Sequence, residues 1–202
     1  KNIHAGLSGA LVFKNKKDYK RAINIRERGT NRNDVVLGLA NKYTWVEIGG
    51  SYYPTEINAA FLFAQLKKIK KNIYGRKTIY LKYYKELAKL KKQNLIHYSK
   101  LDQLLIPNYH AFFIIFNNHS VCDKLRKFLL KNDINAYIGY IPLHSSPVGI
   151  KLGNNKLDLP ITNDISKRIL RLPLHNRMTK KDASNVCIQI SNFFKKSIWV
   201  LI

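Results

Sequence analysis

The chain has 202 residues and a mass of 23.5 kDa; 46% of it is apolar and 11% aromatic, enough to bury a core, which excludes intrinsic disorder. Its 36 Lys and Arg against 12 Asp and Glu give a formal net charge of +24, but the cations are spread along the whole chain and favour Lys over Arg, so nucleic-acid binding is not the expected primary function. Two cysteines without paired spacing exclude a disulfide scaffold or a Cys-rich zinc site and fit a reducing, cytoplasmic compartment, and apolar runs such as 111–116 and 198–202 fall far short of the ~18 residues of a membrane span.

The chain opens at Lys1 with neither an initiator Met nor a secretory-signal pattern, and reads as starting inside a longer sequence. Residues 10–13 predict a short buried strand. Residues 17–28 predict a helix, with Asp18 near its start, Ala22, Ile23 and Ile25 as apolar contacts and Gly29 as the stop. Residues 30–54 are rich in Gly, Asn and Pro and read as loop, although Tyr43, Trp45, Tyr52 and Tyr53 argue for order. Pro54-Thr55-Glu56 opens a helix with Ile57, Ala60, Phe61 and Ala64 on one face. A second helical stretch follows. Ile73, Arg76, Tyr80, Tyr83, Leu87 and Leu90 recur every three or four residues, a packing seam in which Arg76 is the polar exception. The lysines at 67, 68, 70, 71, 89, 91 and 92 read as a solvated helix face.

Residues 110–116 predict a buried strand. Ser120 with Asp123 predicts a capped helix start, and Leu125, Phe128 and Leu129 face inward. Residues 136–138 form a second short strand, Pro142, Pro147 and Pro160 mark a loop region, and residues 164–170 suggest a short helix. Leu172-Pro173-Leu174 does not suit a helix interior. Thr179 with Asp182 caps a last helix through Phe194. The order is that of a mixed α/β chain, with a boundary near residue 65 inside a helix.

Motifs of generic chemistry are few. Gly153-Asn154-Asn155-Lys156 is a turn rather than a phosphate loop. Gly6-Leu7-Ser8-Gly9 lacks the second glycine of a nucleophile elbow where it is needed. The six histidines contain no pair at metal-ligand spacing, no carboxylate pair suggests acid–base work, and Cys122 and Cys187 read as core.

Five separated blocks, in order, carry a resemblance. They are Lys1-Asn2-Ile3 with the following Gly6-Leu7-Ser8-Gly9-Ala10; Ile25-Arg26-Glu27-Arg28-Gly29-Thr30-Asn31-Arg32; Lys42-Tyr43-Thr44-Trp45-Val46-Glu47-Ile48-Gly49-Gly50-Ser51-Tyr52, continued by Ala59-Ala60-Phe61-Leu62; Tyr140-Ile141-Pro142-Leu143-His144; and Leu170-Arg171-Leu172-Pro173-Leu174. Together they are similar to the C-terminal half of the sugar aminotransferases of the DegT/DnrJ/EryC1/StrS family, which use pyridoxal 5'-phosphate (PLP).

The resemblance runs from Lys1 to about Phe194. It implies an α/β fold class, the C-terminal part of a PLP-dependent transferase type I (aspartate aminotransferase-like) fold. Residues 1–65 would be the end of the large PLP-binding domain and 66–202 a small C-terminal α/β domain. It implies Lys1 as the catalytic lysine that binds PLP through its amine and then moves a proton between substrate and cofactor. Ser51 stands where many relatives carry Asn, in a loop reaching the PLP phosphate of a neighbouring subunit. Tyr140 and His144 lie in a segment near the substrate mouth of relatives, although packing roles suit both somewhat better. The implied activity is transfer of an amino group, with glutamate as the expected donor, to the C4 ketone of a dTDP-4-keto-6-deoxy sugar. The setting would be a cytoplasmic homodimer serving surface polysaccharide such as enterobacterial common antigen.

Two departures qualify this. Leu7 and Ser8 replace the Glu and second Gly of the family's turn after the PLP lysine. The family's upstream half, with the aspartate for the pyridine nitrogen, the stacking ring and most phosphate donors, does not precede Lys1 here. The expectation is therefore the C-terminal part of a longer enzyme or a non-catalytic remnant, with the apolar surface of the first ~60 residues uncovered. A basic nucleic-acid-binding protein is the alternative from a different class.

Overall fold

The computed structural model describes residues 1–102, 104–154 and 159–198. The chain divides into two compact units, one holding Lys1 with Ile3–Ile69, the other holding Asn2 with the chain from Lys70 onward.

In the first unit α1 (Lys16–Arg26) starts where the Asn15 side chain accepts from the backbone N–H groups of Lys17 and Asp18. It stops at Glu27, two residues before the expected glycine. Arg28 and Gly29 then both take left-handed backbone (φ 62 and 74), and a Cβ on Gly29 would lie 1.6 Å from the carbonyl oxygen of Glu47, so only glycine fits there. That close approach folds the 30–54 segment back onto the end of α1. Val46 and Glu47 donate to Gly29 O, and antiparallel bridges join Glu27 to Ser51 and Thr30 to Trp45. Within this segment Arg32–Val36 forms a short α2. Thr55 then caps α3 (Glu56–Lys67) through the N–H of Asn58, as the Pro-Thr-Glu pattern predicts.

The expected strand at 10–13 does not form. Leu11 and Val12 are 82% and 96% exposed, and among the described residues no strand lies alongside to receive their backbone hydrogen bonds. A strand is a pairing, so apolar sequence without a partner stays irregular.

In the second unit α4 (Ile69–Glu86) and α5 (Ala88–Lys92), with Leu87 between them, bring Ile79, Tyr83, Leu87 and Leu90 to the core; Tyr83, Leu87 and Leu90 belong to the expected seam, whereas Ile79 takes a core place while Ile73 and Tyr80 stay half-buried. Then come β1 (Phe112–Ile115), α6 (His119–Lys131), β2 (Tyr137–Ile138), a 3-10 turn (Leu143–Ser145), α7 (Pro147–Lys151), α8 (Pro160–Arg168), β3 (Ile169–Leu172) and α9 (Lys180–Ile198). The strands form an antiparallel sheet in the order β1-β3-β2, with Phe112 opposite Leu172 and Tyr137 opposite Arg171. Alternation sorts its faces. Phe112, Ile114, Leu170 and Leu172 turn inward to meet Tyr83 of α4, Leu125 and Leu129 of α6 and Ile190 of α9, all in one apolar cluster.

Three local expectations change. The cap of α6 is Asn118 rather than Ser120, because its side chain accepts from Val121 N, while Asp123 instead pairs with Lys127 at 2.7 Å and Arg126 at 3.2 Å. Pro147 and Pro160 open helices, since proline suits a first turn whose N–H has no intrahelical partner. The helix expected at 164–170 runs instead over Pro160–Arg168, and the rest of that stretch is β3. The Thr179–Asp182 cap forms reciprocally as expected. Of the predicted 153–156 turn, Asn155 and Lys156 lie outside the described residues, as does most of the 198–202 apolar run.

The burial pattern predicts unequal costs for the same truncation in the two units. Leu125→Ala in the core should destabilise by about 2–5 kcal/mol, whereas Ile57→Ala, at a side chain 81% exposed, should stay within about 0.5 kcal/mol. Urea unfolding of the two variants checks this, and equal losses would contradict it.

Candidate functional site

The second unit carries a groove of about 800 Å³, between the ends of β1 and β3, the 133–140 segment and the first turns of α9. Behind two of its lining residues lies Arg76, which α4 carries into the interior. The Arg76 guanidinium donates from Nε to Tyr109 O at 2.9 Å and from Nη2 to His110 O and to Leu174 O, the latter at 3.1 Å. Burial lowers its pKa from the ordinary arginine value, yet that value is so high that the group stays charged near neutrality. His110 and Leu174 both line the groove, so one side chain sets the spacing of two walls. Beside it, Tyr83 Oη donates to Pro173 O at 2.8 Å, and burial pushes that phenol far above its usual range.

Arg171 sits on the central strand, on the face opposite to Leu170 and Leu172. Its sheet neighbours are Phe113 and Tyr137, and its guanidinium lies 6.0 Å from the ring of Tyr140. At the α9 side, Asp182 accepts from the backbone N–H and the hydroxyl of Thr179 (2.8 and 2.9 Å), which hold its carboxyl below the usual range.

Of the residues singled out in the sequence, Tyr140 lines this groove and is 86% exposed. His144 lies close in sequence but not in the lining. It is buried in the 3-10 turn, its Nε2 2.9 Å from Asn163 Oδ1, a contact that ties the turn to α8. Lys1 and Ser51 belong to the first unit. Lys1 is exposed, and Ser51 is exposed in its bridge to Glu27. After Lys1 the chain turns at Gly6 (φ 67), where a Cβ would lie 3.2 Å from Asn58 Oδ1, and Leu7 and Ser8 both point to solvent. The structure thus keeps the glycine of that turn while the two altered positions carry no buried contact. Among the described residues no cluster of His, Cys, Asp and Glu could hold a metal ion, and no helix is long and apolar enough to cross a membrane.

Sequence reasoning missed Arg171 and the clamp of Arg76. The period-two alternation of Ile169-Leu170-Arg171-Leu172 was the signal for the first: it places a cation on the face away from two leucines. The second was visible only as a polar residue in an apolar seam.

The model of the DegT/DnrJ/EryC1/StrS aminotransferase family matches residues 1–191. The GDP-perosamine synthase of Vibrio cholerae is 26% identical over 197 residues, covering 96% of this chain and 50% of that protein. The dTDP-4-amino-4,6-dideoxy-D-glucose transaminase of Escherichia coli is 30% identical over 149 residues, covering 72% of this chain and 39% of that one. Among solved structures, Helicobacter pylori PseC, an aminotransferase involved in the biosynthesis of pseudoaminic acid, superposes with a TM-score of 0.73 at 21% identity, over 92% of this chain and 48% of its own. The chain therefore spans half or less of the length of these proteins. Solved structures of the same fold include a PLP form and a PMP form.

Asp182 gives a pH test of this geometry. A carboxyl with a depressed pKa stabilises the fold fully above the ordinary aspartate value, about 3.9, and that contribution is lost as pH falls through the lower folded value. In Thr179→Val one of the two donors is gone, so the Asp182 titration followed by NMR should move up towards the ordinary value. An unmoved titration would contradict the assignment.

Proposed function

The chain belongs to the DegT/DnrJ/EryC1/StrS aminotransferase family, whose members are PLP-dependent, and from that premise we propose that it is the C-terminal portion of an enzyme aminating a nucleotide-linked sugar. In this reading residues 1–65 are the end of the large PLP-binding domain and 66–202 the small domain. The observation that carries it is the family match over residues 1–191, which begins at Lys1 and spans both units. The finer reading is a dTDP-4-keto-6-deoxy sugar as acceptor, glutamate as donor, and a homodimer as the working assembly. It rests on the Tyr43-Thr44-Trp45-Val46 block and on relatives whose names are those of sugar-nucleotide enzymes.

The donor set suits the cofactor at two points. Lys1 offers an accessible amine for its aldehyde, and Ser51 offers an exposed hydroxyl that would serve the phosphate of a neighbouring subunit's cofactor. When bound, PLP supplies the electron sink that makes a carbon–hydrogen bond next to nitrogen acidic. The chain's own part is positional. The Lys1 amine, when free, would be the base that takes a proton from the donor carbon and the acid that gives it back. Such a group must be within hydrogen-bond reach of the carbon it serves, so the left-handed turn at Gly6 matters by fixing the direction in which the chain leaves Lys1. His144, buried on Asn163, acts in this reading by holding the Tyr140 segment in place rather than by touching substrate.

Incubation with PLP, reduction with borohydride and peptide mapping test this proposal. A single modification on the Lys1 side chain is expected, absent from Lys1→Ala. Modification scattered over the surface lysines, with none enriched at Lys1, would overturn it.

A further inference from the structure

The outward face of α4 and α5 carries a row of lysines that neither the groove nor the amine of Lys1 uses. Lys70, Lys77, Lys85, Lys89 and Lys92 are all exposed, and Tyr74 and Leu81 fill the places between them. At about 100° per residue these side chains cover about a third of the helix circumference. The buried side chains of Arg76, Ile79, Tyr83, Leu87 and Leu90 take the opposite side. Leu87 keeps helical backbone (φ -85, ψ -1), so the same face runs on from α4 into α5. With a rise of about 1.5 Å per residue the row is about 30 Å long.

Little acid answers this charge. Between Glu56 and Asp102 the sequence holds one acidic residue, Glu86. Its carboxylate is engaged at the edge of the face, by Lys82 at 2.7 Å and by the Ser184 hydroxyl of α9 at 3.1 Å. Among the described residues none of the five lysines of the row has an ion pair. Lys85 and Lys89 stand one turn apart, a like-charge spacing that weakens a helix. An extended anionic surface would relieve that repulsion along the whole row at once. The residue types point to the kind of surface. Lysine is a hydrated point charge that responds to charge density, whereas phosphate forks and base edges are read by arginine. The one arginine of α4, Arg76, faces inward. Tyr74, 71% exposed, offers an apolar ring with a polar tip, and Leu81 an alkyl chain. Such groups between lysines suit the headgroup layer of a bilayer.

We propose that α4 and α5 lay this face on a membrane surface rich in anionic lipid. The contact is peripheral and reversible, because five charges and only two apolar side chains reach the lipid. Each lysine close to such a surface strengthens binding by about fivefold. The attraction fades beyond the Debye length, ~8 Å at physiological ionic strength, so it belongs to side chains that touch the headgroups rather than to the +24 net charge as a whole. The inference goes beyond the aminotransfer reading and does not rest on it, since none of these side chains serves Lys1, Ser51 or the groove.

Co-sedimentation of the chain with vesicles of phosphatidylglycerol and phosphatidylcholine in equal parts tests this, with pure phosphatidylcholine vesicles alongside. Binding is expected on the anionic vesicles alone, and it should fall steeply as salt is raised. The double variant Lys77→Glu with Lys85→Glu should bind at least about tenfold more weakly. Lys77→Gln with Lys85→Gln should fall between that variant and the parent, a grading that loss of folding would not produce. Lys16→Glu with Lys20→Glu, at exposed positions of α1, lowers the net charge as much as the first double variant and should change binding by less than about twofold. Equal losses in the two charge reversals would overturn the assignment to α4 and α5. Equal binding to neutral vesicles would overturn it as well, tracing the attraction to exposed apolar surface. A DNA duplex bound more tightly than the anionic vesicles, and lost in the same variant, would replace the lipid with nucleic acid.

Discussion

The Arg76 side chain, gripping three backbone carbonyls, is the interaction on which the second unit's geometry depends. It enters from α4, is 8% exposed, and reaches Tyr109, His110 and Leu174 without meeting a carboxylate among the described residues. Residues 109 and 110 lead into β1 and residue 174 follows β3, so the group ties together the ends of two paired strands. Those carbonyls lie past the ladder and have no sheet partner of their own. Their surroundings are partly buried, so each left unpaired would cost at most about 1–3 kcal/mol. A neutral side chain of similar length would fill the space but leave them so. The walls of the groove, and the place of Arg171 within it, follow from this one contact.

The two units differ in how well they sort apolar from polar residues. In the second, Tyr83, Phe112, Leu125, Leu170 and Ile190 all close on one cluster. In the first, burial is confined to Ala5 and a few residues around the end of α1, while Trp45, Ile48, Ile57 and Phe63 face outward. α3 spreads its apolar residues around the helix rather than on the one face expected, with its polar residues towards the two ends, a pattern that suits enclosure. Large exposed apolar surface of this kind marks a place where other protein packs. That suits the proposed assignment of residues 1–65 to the end of a larger sheet domain, and the relatives named above are about twice as long as this chain or longer.

Much of this was legible in the residues. Helices showed through three-and-four spacing and through caps such as Thr55 and Thr179, because both signals are local. The 110–116 and 136–138 strands showed as apolar or β-branched runs. What failed was whatever depended on partners distant in sequence. Residues 10–13 have the composition of a strand but no neighbour to pair with. The α6 cap moved to Asn118 because two polar residues on either side of His119, Asn118 and Ser120, could each have closed the first turn. The groove was legible only in part: Tyr140 came from the resemblance, whereas Arg171 and Arg76 needed the sheet register and the fold of α4 to acquire meaning. Lys1 and Ser51 were named from the family's pattern alone, and their roles stand as proposals.

The most direct test of the central claim is amide hydrogen exchange, followed residue by residue in the parent chain and in Arg76→Met. The account predicts slow exchange across β1 and β3 in the parent. In the variant, exchange should speed up by about tenfold or more at residues 110–113 and 170–174, with α6 unaffected. Unchanged exchange at those strand ends, or equal acceleration through α6, would contradict it.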